Sequence, residues 1–180
     1  MGENVDAARV RDCLAGDPQA FAALVQQYEK PVYNVALRML RNPEDARDIA
    51  QSVFMKAWQN LSSYDPKYKF YSWIYRMAIN ESLNILRSHG RDAEPVDERL
   101  PAEDAGPLDV LAAGQGREAV LAAVRRLKPE YRSVIVLHYF VDLPYEDIAD
   151  VLEVDAKTVK SRLYSARQVL KDQLAARGVT

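Results

Sequence analysis

Residues able to break or form bonds are few in this chain and badly placed for each other. Its two histidines, His89 and His138, stand 49 positions apart, and one cysteine, Cys13, gives no metal-ligand spacing. There is no glycine-rich phosphate loop and no nucleophile elbow. Asp45 and Asp48 are paired acids at i, i+3, but they open a helical pattern, where the helix dipole already favours carboxylates. An enzyme, a bound metal or a cofactor is therefore not expected. Cys13 reads as a small packing residue, and no disulfide framework exists within the chain.

The chemistry that does have a pattern is recognition of a polyanion. From Asp142 to Asp155 the chain carries Asp142, Glu146, Asp147, Asp150, Glu153 and Asp155 and no base. From Lys157 to Lys171 it carries Lys157, Lys160, Arg162, Arg167 and Lys171 and no acid. Ile148, Ala149 and Leu152, then Val159, Leu163, Ala166 and Leu170, give each half a buried helical stripe. Two short helices around a four-residue turn, the second one basic outside, spell a helix-turn-helix that reads duplex DNA. With its stripe inward, the second helix turns Lys157, Lys160, Ser161, Tyr164, Gln168 and Lys171 outward, flanked by Thr158 and Arg167. Lys157, Thr158, Lys160 and Ser161, near its start, are candidates for base edges. Arg162, Arg167 and Lys171 are candidates for phosphates, and Asp155 for the N-cap.

The remaining elements have to position this reader. Of the 180 residues, 48% are apolar and 28% charged, ordinary for a globular protein, and no apolar run approaches a membrane span. The net charge of −2 averages unlike segments. Residues 93–117 hold two bases against six acids, with three of the nine prolines and three of the seven glycines. They predict an acidic, extended linker between an N-terminal domain, 1–92, and a C-terminal domain, 118–180. The first twelve residues contain acids and no apolar core, unlike a signal peptide, so a reducing cytoplasm is expected.

Every element ahead of and behind the linker reads as helix, giving an all-α chain. A short helix over 4–15 ends at Gly16. Asp17-Pro18 opens a long second helix with Phe21, Leu24, Val25, Tyr28, Val32, Val35, Ala36, Met39 and Leu40 inward, and Pro31 as a point of kinking. Asn42-Pro43 opens a third, whose stripe runs Ala46, Ile49, Ala50, Val53, Phe54, Ala57, Trp58 and Leu61. Its other face carries Asp48, Gln51, Ser52, Met55 and Gln59, with Met55 the one apolar residue there. A fourth helix from about Phe70 to Arg87 places Phe70, Trp73, Ile74, Met77, Ala78 and Ile85 inward and the row Arg76, Asn80, Asn84, Arg87 outward. Such a row is either an ordinary polar face or a contact surface for phosphates and base edges.

Six of the sixteen aromatic residues fall within Tyr64–Tyr75, interleaved with Lys67, Lys69 and Arg76. Phe70 and Trp73 fit the buried stripe, whereas Tyr64, Tyr68 and Tyr71 do not. Either they form a tyrosine-rich packing corner or they stack on unpaired bases. Beyond the linker, a helix over Glu118–Leu127 and a Pro129-led helix containing Tyr131, Val134, Ile135 and His138 precede the helix-turn-helix.

Three segments in this order, DARDIAQSVFMKAW (45–58), FYSWIYRMAINESLNILR (70–87) and LPYEDIADVLEVDAKTVKSRLYSAR (143–167), resemble the sigma-70 family of bacterial RNA polymerase initiation factors. The pattern is most similar to the small extracytoplasmic function (ECF) group, which keeps only the second and fourth sigma domains. The resemblance covers about residues 17–175. It implies core RNA polymerase and promoter DNA as partners, duplex at the −35 element and single-stranded at −10, and an anti-sigma protein, with no membrane contact of the chain's own. Asp45, Asp48, Gln51, Phe54 and Trp58 match the helix that docks on the polymerase clamp. With Phe54 and Trp58 on the inward stripe, Asp45, Asp48, Gln51, Ser52 and Met55 are the contact residues expected. Tyr64, Lys67, Tyr68 and Tyr71 match the loop that captures a flipped base, and Arg76, Asn80, Asn84 and Arg87 the helix facing −10. Lys157, Thr158, Lys160, Ser161, Arg162, Tyr164, Arg167 and Lys171 match the −35 reader. A stand-alone helix-turn-helix regulator is the alternative. The sequence departs from the family pattern at Glu153, where relatives usually have Gly, at Lys157 and Ser165, where many have Gly and Arg, and at Asn84, commonly an acid. If the backbone at 153 has φ > 0, Glu costs about 1 kcal/mol there.

Overall fold

Helix starts and stops are fixed largely by side chains that satisfy orphan backbone groups. The computed structural model describes residues 5–88 and 116–176, which fall into two compact units, one of residues 5–85 with 150–153 and the other of the remainder. In the first, α1 spans Val5–Leu14, α2 Pro18–Leu40, α3 Pro43–Gln59 and α4 Phe70–Ser88. Asp17 and Asn42 cap α2 and α3: each side-chain Oδ1 accepts from the backbone N–H two residues on, at 2.9 Å. Each proline follows at the position whose N–H would be unpaired anyway. Arg41 ends α2 in the left-handed region, φ 58°, with its N–H on Leu37 O at 2.7 Å. The helix runs through Pro31 without ending.

Leu24, Val32, Val35, Ala36 and Met39 of α2 meet Ala46, Ile49, Val53 and Ala57 of α3 and Phe70, Ile74, Ala78 and Ile79 of α4 in a dry core. The outer helix α1 is held by a polar clasp. Buried Asp6 accepts hydrogen bonds from Tyr28 Oη and from Gln27 Nε2, the latter at 3.3 Å. Burial and the Asp6 carboxylate beside it push the Tyr28 hydroxyl well above the usual phenol range.

The buried arc of α4 is turned from the expected one. Setting Phe70 at 0° and advancing about 100° per residue, the expected face centres near 20°. The residues found buried, Phe70, Ser72, Ile74, Tyr75, Ala78, Ile79, Ser82 and Leu86, centre at about 125°. Trp73, Met77 and Ile85, expected inward, are only half-buried.

In the second unit, α5 spans Gly116–Arg126, α6 Pro129–Ile135, α7 Tyr145–Leu152 and α8 Ala156–Ala175. A π-turn over Val136–Phe140 follows α6 directly. Leu127, Val134, Ile135, Leu137, Ile148, Val159, Leu163, Ala166 and Leu170 form the core. Arg132 lies buried among them, its guanidinium donating to Arg125 O and, at 3.2 Å, to Leu127 O. It satisfies carbonyls at the end of α5 that have no helical partner, and burial lowers its pKa from the arginine range.

The all-α, two-domain reading holds, and no strand occurs among the described residues. The acidic linker lies outside them as far as residue 115.

Candidate nucleic-acid interface and docking groove

The helix-turn-helix is built from α7 and α8. Its turn holds three residues, Glu153 to Asp155, one fewer than expected, because α8 already begins at Ala156. Glu153 takes φ 54° and Val154 N–H reaches back to Ala149 O at 3.1 Å. This is a Schellman close with glutamate in the position that favours glycine. Asp155 then caps α8 by accepting from Thr158 N–H, and those bonds hold its carboxyl below the usual aspartate range.

On α8, Lys157, Lys160 and Lys171 are exposed, while Thr158, Ser161, Arg162 and Tyr164 are half-exposed at their edges. Arg167, expected as a phosphate ligand, already has a partner inside the fold. It is half-buried, and its Nε donates to Tyr139 Oη at 2.7 Å. The hydroxyl of a π-turn tyrosine gives it a competing partner inside the fold.

In the first unit the aromatic segment separates into an inner and an outer set. Tyr64 is buried, packs edge-on to Phe70 at 5.6 Å and near Trp73 at 5.6 Å, and donates from its hydroxyl to Tyr68 O at 2.6 Å. Its ring is core, which corrects its assignment as a base-stacking residue; burial raises its pKa. Tyr68 and Tyr71 form the outer set, both half-exposed. Lys67 Nζ lies 5.5 Å and Arg76 Cζ 5.9 Å from the Tyr68 ring centre, and Lys69 Nζ lies 5.5 Å from that of Tyr71. The loop beneath is pinned by Lys67 N–H on Asp65 Oδ1 at 2.9 Å. Two aromatic faces edged by cations suit stacked bases and their phosphates. On α4, Asn80, Asn84 and Arg87 are exposed and Arg76 half-buried. The turned core puts Asn80 about 155° from the centre of the buried arc, so the polar row lies on the side away from the core.

On α3, Asp48, Gln51 and Met55 are exposed, Met55 at 62%, with Asp45 and Ser52 half-exposed. Trp58 is a correction: it is 50% exposed rather than inward. Its indole stands edge-on to Phe21 at 5.0 Å and, with Val25, Tyr33, Gln51 and Met55, lines a groove of about 760 Å³ between α2 and α3. Arg47, Lys30 and Glu29 edge that groove. The signal was in the helical wheel: with Ala46 at 0°, the core centres near 20° and Trp58 falls at about 120°, beside Gln51 and Met55. No cluster of His, Cys, Asp or Glu suited to a metal occurs among the described residues.

Two family models match the chain: Sigma-70 region 2 over residues 24–92, and Sigma-70, region 4 over residues 117–170. An ECF RNA polymerase sigma factor of Bacillus subtilis, SigW, is 30% identical over 177 residues, 92% of this chain and 95% of that one. This chain belongs to the ECF group of the sigma-70 family. The RNA polymerase sigma-H factor of Pseudomonas aeruginosa is 31% identical over 97% of this chain and 96% of its own length. Among solved structures, CnrH in complex with the cytosolic domain of CnrY shares the fold at a TM-score of 0.73 and 24% identity, covering 96% of this chain and 98% of that one. The sigma factor RpoE of Bartonella quintana, solved with the anti-sigma factor NepR, gives 0.64 and 22% over 86% and 96%. The ECF sigma factor reading therefore stands, and a stand-alone regulator is not favoured.

Proposed function

We propose that this ECF sigma factor joins core RNA polymerase in the cytoplasm, reads duplex −35 DNA with α8 and holds single-stranded −10 DNA on α4 and the loop before it, without catalysing a reaction itself. The observation that carries this is the division of surfaces within one family member. The start of α8 offers Lys157, Lys160 and Ser161, the loop and α4 offer cation-edged rings and an Arg/Asn row, and α3 borders an apolar groove.

Lys157, Thr158, Lys160 and Ser161 supply base-edge contacts, and Arg162 and Lys171 supply phosphate contacts. Tyr68 and Tyr71 offer the stacking faces, with Lys67, Arg76, Asn80, Asn84 and Arg87 around them. Opening the duplex and extruding a base costs a few kcal/mol, which stacking at about 1–3 kcal/mol per base can offset. Core polymerase docks along Asp45, Asp48, Gln51, Ser52 and Met55, and Trp58 with its groove extends that surface. Residues 1–92 and 118–180 act as sigma domains 2 and 4 on either side of an acidic linker, 93–117. An anti-sigma protein occupies the chain when it is not on polymerase; RpoE, solved with the anti-sigma factor NepR, supports this partner class.

Reconstituted run-off transcription tests the proposal. Core polymerase with this chain should start transcripts at discrete sites on genomic fragments. No specific start site, with tight DNA binding by the chain alone, would refute it.

A further inference from the structure

The helix assigned above to duplex reading is held from behind by tyrosine hydroxyls on Arg167, with Tyr139 the near partner and Tyr145 beside it. Arg167 Nε donates to Tyr139 Oη at 2.7 Å, while the guanidinium carbon lies 5.6 Å from the ring centre. The guanidinium therefore meets Tyr139 at the hydroxyl and over the ring, and only the first of these contacts is sharply directional. Tyr139 is itself set by its neighbours. The His138 ring stands edge-on to Tyr139 at 4.7 Å and to Tyr145 at 5.2 Å, and its Nδ1 faces Leu143 O at 3.2 Å. The π-turn and the chain leading into α7 thus present the phenol oxygen to α8 from a braced position.

The apolar stripe of α8 sets the depth of the helix better than its roll. Dispersion contacts have no direction, and the stripe narrows to Ala166 at the turn that carries Arg167. A hydrogen bond does have direction. Lys157 lies ten residues before Arg167, about 15 Å along the axis. A roll of roughly 10° would carry a side-chain tip about 10 Å from that axis through nearly 2 Å, beyond the ~0.5 Å a recognition geometry tolerates.

We propose that Tyr139 is a positioning residue for duplex recognition: its hydroxyl, acting through Arg167, sets the roll of α8 and holds one guanidinium back from the phosphates. This rests on the reading of α8 as the duplex-reading helix. Releasing Arg167 lets it close on a phosphate, which strengthens sequence-independent binding while the base contacts lose register.

The test uses the full chain assembled with core polymerase. Duplexes enriched by the wild-type assembly from a randomised pool are compared with random-sequence duplex. Tyr139→Phe keeps the ring and its aromatic contacts and removes only the acceptor. Its selected-to-random affinity ratio should fall about fivefold to thirtyfold, the effect of losing one charge-assisted hydrogen bond. Random-duplex affinity should hold or rise, with a salt slope steeper by about 0.9 for one added phosphate contact. Combining Tyr139→Phe with Arg167→Gln should lower the ratio no further than either change alone. An unchanged ratio, equal weakening of both duplexes, or additive losses in the double variant overturns the role of Tyr139. If the wild-type assembly enriches no duplex at all, the reading of α8 falls as well.

Discussion

Glu153→Gly should make the α7–α8 helix-turn-helix more stable, although it deletes an exposed side chain. The backbone at 153 sits at φ 54°, where Cβ crowds the following carbonyl and a non-glycine residue loses about 1–2 kcal/mol. Glycine removes that term but gives up about 0.5–1 kcal/mol of unfolded-chain freedom relative to alanine. The difference leaves roughly 0.5–1 kcal/mol in favour of glycine. For a unit of this size each kcal/mol moves the midpoint by about 4–8 °C, so a rise of roughly 2–8 °C is expected. Both tryptophans, Trp58 and Trp73, lie outside the helix-turn-helix, so calorimetry rather than indole fluorescence is the assay. Glu153→Ala is the control. It removes the same carboxylate from the C-terminal end of α7 and keeps Cβ, so any gain from charge alone appears in both variants. If the glycine variant melts no higher than the alanine variant, strain at 153 is not what limits this turn.

Trp58→Ala should weaken binding of core polymerase about tenfold or more in a competition assay, as expected for a large aromatic at the mouth of a groove, while chain stability changes little because the indole is half-exposed. Tyr28→Phe should cost about 1–3 kcal/mol by removing a donor to buried Asp6, read as earlier denaturant unfolding of the first unit. Tyr28, Tyr64 and Tyr75 have raised pKa values, Tyr75 to about 12 by burial. Unfolded tyrosine ionises near pH 10, so their stabilising contribution is present below that and lost as pH climbs above it. In a tyrosinate titration these three of the ten tyrosines should ionise only as the chain unfolds. Asp155 has the opposite sign: its depressed pKa stabilises above about pH 4 and is lost in more acid solution, so Asp155→Asn, which still caps, should flatten the acid side of the stability profile.

Most of the helices were legible because their ends are written in single residues. Asp17-Pro18, Asn42-Pro43 and Asp155 each mark a start by what their side chains accept, and the structure uses all three. The conditional reading of Glu153 also holds, since φ at that position is set by the closing turn and not by the residue. What misled was the assumption that an apolar residue near a stripe belongs to it. Trp58 lies at the margin of the α3 arc, where burial depends on whether a neighbour reaches that far; Phe21 reaches one edge of the indole only. Tyr64 failed in the other direction, because it stands in a loop with no period to read and is buried by Phe70 and Trp73 closing over it. The bond from Arg167 to Tyr139 joins residues 28 apart, and nothing in the local pattern of either announces it.

The π-turn at Val136–Phe140 has a consequence for how this domain tolerates insertions and deletions. A π-turn carries one residue more than the α-helix it interrupts, so it works as a counted spacer. Removing any one residue between 136 and 140 would let α6 continue as ordinary helix. Everything after it would swing by about 100° around that axis, the angle of a single helical step. Tyr139 would leave Arg167, and the stripe of α8 would face away from α6. Substitutions at exposed Phe140 should be mild by comparison, since they leave the count intact. Length, more than chemical identity, is what this short segment has to preserve.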